Sequence, residues 1–88
     1  MDRDTILDNI GRASIANTTL LMAYMDAVGN TSEREVEPYS FRETDRGEVL
    51  FYAFCYLRNA IRGFKLDNII SAEVTENPYD PKWEVEIN

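Results

Sequence analysis

Residues 49–57, VLFYAFCYL, constrain the fold more than any other stretch of this 88-residue chain. Val49, Phe51, Ala53, Cys55 and Leu57 alternate with Leu50, Tyr52, Phe54 and Tyr56, so a strand here is apolar on both faces. A strand of that kind needs cover on both sides, which places it in the middle of a sheet.

The segments around it carry period-two or turn signals. TTLLMAYM (18–25) sets Leu20, Met22 and Tyr24 against Leu21, Ala23 and Met25, and DAVGN (26–30) is a turn cluster in which Gly29 and Asn30 accept positive φ. SEREVEPYSF (32–41) alternates Glu33, Glu35 and Glu37, a solvated row, with Arg34, Val36 and Pro38. Pro38 marks an edge or a strand end. RETDRGE (42–48) reads as a hairpin connection. After the central strand, a turn at Arg58-Asn59-Ala60 leads into IRGFKL (61–66), followed by IISAEVT (69–75), the proline-bounded turn ENPYDP (76–81) and KWEVEI (82–87). The last segment is expected as a strand with Trp83, Val85 and Ile87 inward.

Only residues 4–16, DTILDNIGRASIA, have helical spacing. Ile6, Leu7, Ile10 and Ala13 make one apolar stripe, Asp4 or Thr5 is positioned to cap it, and Gly11 weakens it by about 1 kcal/mol. The stripe serves core packing or docks another chain. Five or six short strands behind one helix predict a mainly β fold, a small antiparallel SH3-like or Sm-like barrel over 18–87, in a single domain over 1–88.

The chain contains no histidine and one cysteine. That removes Ser-His-Asp and Cys-His catalysis, histidine metal sites and a disulfide framework. An enzyme would have to work with carboxylates, Tyr, Lys or Arg, so a non-catalytic protein without cofactor or metal is expected. No apolar run reaches membrane-spanning length and the start, MDRDTILDNI, is acidic, which predicts a cytoplasmic protein that does not engage a membrane.

The formal net charge is −7, and residues 49–66 contribute +3 to it, leaving −10 for the rest. Long-range repulsion therefore opposes indiscriminate binding to phosphate but leaves room for a focused cationic site. Arg58, Arg62 and Lys65 form that acid-free stretch, CYLRNAIRGFKL.

Two blocks, REVEPYSF and CYLRNAIRGFKLDNI, resemble the WYL domain family. Val36, Pro38 and Tyr39 match its first block, Cys55, Leu57 and Arg58 a later strand end, and Arg62, Phe64, Leu66, Asp67 and Ile69 its arginine-rich segment. The likeness spans roughly residues 5–76. The tripeptide that names the family is replaced by Val49, Leu50 and Phe51, its usual histidine by Tyr56, and two of its arginines by Lys65 and Asn68. The resemblance implies a ligand-sensing module of the kind attached to winged-helix DNA-binding domains in bacterial regulators of defence and DNA-damage responses. It also implies that this chain, without such a domain, does not repress a promoter unaided.

Two hairpin registers are open. With a three-residue loop (59–61), Arg58 faces Arg62, Tyr56 faces Phe64 and Phe54 faces Leu66. Like charges directly opposite call for a bridging anion. With a two-residue loop (59–60), Leu57 faces Arg62 and Cys55 faces Phe64. The three-residue register is preferred, because Asn59 tolerates the left-handed conformation such loops require.

In that register Arg58, Arg62, Tyr56 and Phe64 share a face suited to a phosphate and a stacked base. With Lys65 and Tyr39 they make up the candidate ligand site for a nucleotide or single-stranded nucleic acid, modulating a partner regulator or effector. Against this stands a bland reading in which Arg58 and Arg62 pair with Glu35, Glu37 or Glu73 at the surface. The competing function is an acidic protein-interaction or self-assembly module, with a protein partner or a homo-oligomer. Tyr39 and Trp83 are expected in the core, Cys55 as an inert core thiol, Asp67 as a turn cap, and Glu84 and Glu86 as solubilising groups.

Overall fold

The computed structural model describes residues 1–87. Helix α1 (Arg3–Ala16) precedes five strands, β1 (Thr18–Met25), β2 (Thr31–Glu43), β3 (Val49–Cys55), β4 (Ala60–Lys65) and β5 (Ile69–Pro78), with a 3₁₀ turn at Leu66–Asn68 before β5. All pairings are antiparallel, in the order β4-β3-β2-β1-β5. The fold is mainly β, with one sheet and one N-terminal helix.

Helix α1 starts two residues earlier than its capping signals suggested. Asp2 is the N-cap and its carboxylate accepts the Thr5 N–H at 2.8 Å. That contact holds the Asp2 carboxyl below the usual carboxylate range. Asn17 closes the helix in the left-handed region at φ 55°, its N–H bonded to the Ala13 carbonyl. Ile6, Ile10 and Ala13 are buried against the sheet, so the apolar stripe serves the core. Helix α1 packs chiefly on β5 and β1.

The concave face carries the core. Leu20 pairs with Val36, Val36 with Cys55, and Phe51 with both Phe41 and Phe64, so side chains of β1 to β4 enter the same layer, joined by Ile69 and Ala72 of β5. Cys55 is buried there as a free thiol. The sheet does not close as a barrel would: β4 and β5 stand at opposite edges, joined through the short 3₁₀ turn rather than by a ladder. Near that seam Tyr24 Oη accepts the Lys65 N–H at 3.0 Å, tying β1 to the end of β4.

The hairpin register differs from both expectations. Cys55 pairs with Ala60, Ala53 with Arg62 and Phe51 with Phe64, giving a four-residue loop at residues 56–59 with Asn59 left-handed at φ 52°. The preferred three-residue register sets Phe64 opposite Tyr56, five residues from its observed partner Phe51, and would have turned Phe64 to the opposite face, because a slip by an odd number of residues exchanges the faces of a strand. Burying Phe64 against Phe51 decides the matter. Arg58 and Arg62 therefore do not face each other.

The C-terminal segment is not a strand. Both sides of β2 are already bonded, to β1 and β3, so residues 79–87 find no free ladder where they cross the sheet. They attach at the β2 irregularity between Pro38 and Ser40, where Glu86 N–H donates to the Tyr39 carbonyl at 2.7 Å. Val85 and Ile87 pack on the core, but Trp83 is 48% exposed, lying on Tyr39 and Phe54 instead of inside. Asp67 makes no capping bond in its turn; it pairs with Arg3 at 2.9 Å.

Candidate ligand-binding site

Strand alternation places Arg34 in the row of Val36, and register sets it opposite Met22 of β1. An arginine in that row must lie along the core. Its guanidinium sits 5.5 Å from the Phe64 ring centre, and Tyr24 meets the same ring edge-on with centroids 5.0 Å apart. Arg34 Nη2 donates to Ser32 Oγ at 2.8 Å and Nη1 contacts Cys55 Sγ at 3.8 Å, while the buried Nε has no partner.

Arg62, on the same face of β4, and Arg58, in the loop before it, stand around this centre. Together with Tyr24, Asp26, Arg34 and Phe64 they line a cavity of about 220 Å³. Among the described residues, ion pairs form at Arg3, Arg12, Arg42 and Lys65, and none involves Arg34, Arg58 or Arg62. The glutamates expected to neutralise them are engaged elsewhere or apart. Glu35 accepts from Thr19 and Asn77, and Glu37 accepts from Tyr39 and Tyr56. Asp26, the acid in the lining, caps its own turn by accepting from the Val28 and Asn30 N–H groups. Three guanidiniums facing one cavity suit a polyanionic group, which they bind by charge-assisted hydrogen bonds.

The structure brings only part of the expected set together. Arg58, Arg62 and Phe64 meet at the cavity; Phe64 is buried with Arg34 over one face, so it supports the guanidinium rather than offering a free ring for base stacking. Lys65 points to the other side of the sheet, 3.5 Å from Glu48. Tyr56 and Tyr39 lie on that other side too, donating to Glu37 at 2.7 and 2.8 Å. Glu37 is consequently buried and does not belong to a solvated glutamate row. Burial, countered by the Lys82 N–H and reinforced by Glu37, pushes the Tyr39 phenol up to about 12, and burial together with Glu37 raises Tyr56 as well.

Arg34 and Tyr24 are the functional candidates that motif reasoning passed over. Their signal was present: each stands in the apolar row of its strand, Arg34 beside Val36 and Tyr24 beyond Leu20 and Met22.

Residues 5–74 match the family model described as the WYL domain. The chain belongs to the WYL domain family. It is 35% identical over 68 residues to an uncharacterized HTH-type transcriptional regulator, YobV, of Bacillus subtilis (strain 168), covering 77% of this chain and 21% of the relative. Its fold is similar to that of proteasome accessory factor B/C (PafBC) of Arthrobacter aurescens, with a TM-score of 0.78 and 23% identity over 86% of this chain and 12% of the other. This WYL domain thus spans about a fifth or less of each relative. Where the family usually has Trp-Tyr-Leu, β3 opens with Val49, Leu50 and Phe51, and the third of these is fully buried.

Proposed function

We propose that this WYL domain is a ligand-sensing regulatory module that binds a nucleotide or single-stranded nucleic acid through Arg34, Arg58 and Arg62, and signals to a partner regulator. The observation that carries this reading is the grouping of three arginines, none ion-paired among the described residues, around one cavity of a chain with net charge −7. In a chain this rich in acid, arginines that serve only solubility would be expected to pair. The likeness to an HTH-type transcriptional regulator supports a regulatory role in place of catalysis.

Cavity size narrows the mode of binding. About 220 Å³ accommodates phosphate and part of a sugar more readily than a whole stacked nucleotide, and the Phe64 face is already occupied. Phosphate contacts therefore supply most of the affinity and little base preference. Fluorescence anisotropy with short single-stranded oligonucleotides and with nucleotides tests the proposal. Wild type is expected to bind, and Arg58→Ala/Arg62→Ala to lose about tenfold or more in affinity. Equal binding by the two proteins, or no binding by either, rules the site out.

A further inference from the structure

Across the sheet from the arginine cavity, we propose a second ligand site, a cleft for a small organic cation with an apolar body, such as an arylalkyl amine. The cleft encloses about 590 Å³, within the range typical of small-molecule sites. Its floor comes from the row that faces away from the core: Ser40 of β2, Tyr52 of β3 and Ile61 of β4, with Arg42 in line. Register puts Tyr52 opposite Gly63, where an added Cβ would stand 3.1 Å from the Tyr52 ring. Glycine thus gives that ring room to lie across β4. The wall is the C-terminal segment that crosses the sheet. Trp83 meets Tyr39 edge-on, with centroids 5.2 Å apart, and stays half exposed. Trp83, Glu84 and Glu86 lie beyond residues 5–74, so the cleft is built partly from residues outside the family match.

Charge decides what such a cleft takes. One arginine, Arg42, stands against two glutamates, Glu84 and Glu86, a net of −1. Arg42 pairs with Glu86 at 3.2 Å, whereas Glu84 forms no ion pair among the described residues. One carboxylate is therefore left beside aromatic rings, and the two together attract an ammonium by charge and by cation–π contact. The same aromatic layer already holds one. Lys82 Nζ sits 4.8 Å from the centre of the Phe54 ring, and that ring stacks on Trp83. An anionic ligand is disfavoured here and drawn instead to the three arginines on the other face.

Trp83 is the one tryptophan of the chain, so its emission reports on the cleft directly, with titration calorimetry as a second readout. The probes are phenethylamine, phenethyl alcohol and hydrocinnamate, which share an apolar body and differ in charge. No oligonucleotide is present, so the outcome is separate from that of the anisotropy experiment. Phenethylamine is expected to bind with a dissociation constant on the order of 1 mM, the alcohol about threefold more weakly, and the carboxylate most weakly. Glu84→Lys turns the net charge of the lining from −1 to +1 and is expected to invert that order. Tyr52→Ala removes one aromatic surface and is expected to weaken all three probes. Circular dichroism melts verify that both variants are folded. Neither emission change nor heat with any probe up to about 10 mM overturns the proposal. So does equal binding of the three, an order that survives Glu84→Lys, or undiminished binding by Tyr52→Ala.

Discussion

The Arg34 guanidinium lies over the face of Phe64, 5.5 Å from its centre, and Phe64 is itself seated opposite Phe51 in the core. A cavity-lining cation is thereby fixed by packing rather than by an acidic partner. The Nε of Arg34 is buried with no hydrogen-bond partner among the described residues.

Replacing Arg34 with methionine tests that arrangement. Methionine keeps an unbranched apolar stem in the row but removes the charge and the orphaned donor. Because an unsatisfied buried donor costs stability, Arg34→Met is expected to match or exceed wild type in thermal melting. Affinity for single-stranded oligonucleotide is expected to fall about tenfold or more. A fall in both would mean that Arg34 chiefly holds the fold.

Salt dependence reports how many phosphates the site neutralises. For single strands log K falls by about 0.7 per phosphate against log salt, so three arginines predict a slope near −2. Arg58→Ala is expected to flatten that slope by about 0.7. Anisotropy titrations at several salt concentrations measure both.

Asn59 closes the β3–β4 loop in the left-handed region and so orients Arg58 beside it. Asn59→Ala is expected to lose roughly 1 kcal/mol, since an ordinary side chain is strained there, and Asn59→Gly to lose little. Urea denaturation midpoints separate the two.

On the opposite face, Tyr39 predicts a loss of stability at alkaline pH. Its folded pKa is raised from 10.0 to about 12, so the neutral phenol is favoured in the folded state. The resulting stability is whole below pH 10 and disappears as pH rises through about 12. Tyr39→Phe removes the hydroxyl that bonds Glu37 and the Lys82 N–H. It is expected to cost about 1–2 kcal/mol near neutrality and to lose less stability than wild type between pH 9 and 12. Thermal melts across that range provide the comparison.

Much of the fold was legible in the order of residues. The doubly apolar VLFYAFC stretch lies second from the edge but bonded on both sides, and the two rows that alternation separates in β1 do face opposite ways, Leu20 and Met22 entering the core with Tyr24 packed against it. The helix stripe also met the core. The final segment failed for a reason absent from its own residues: KWEVEI alternates like a strand, yet the strand it crosses already has two neighbours.

The candidate site was half legible. Sequence by itself determined that the cations cluster at Arg58, Arg62 and Lys65, that Phe64 accompanies them, and that Arg34 shares a row with Val36. Tertiary structure alone decided which of these meet. A strand fixes alternation, but its pairing depends on how many residues the loop takes and on which aromatic ring the core admits. A four-residue turn and a buried Phe64 sent Arg62 to the concave face beside Arg34, and Lys65, three residues further on, to the other face beside Glu48.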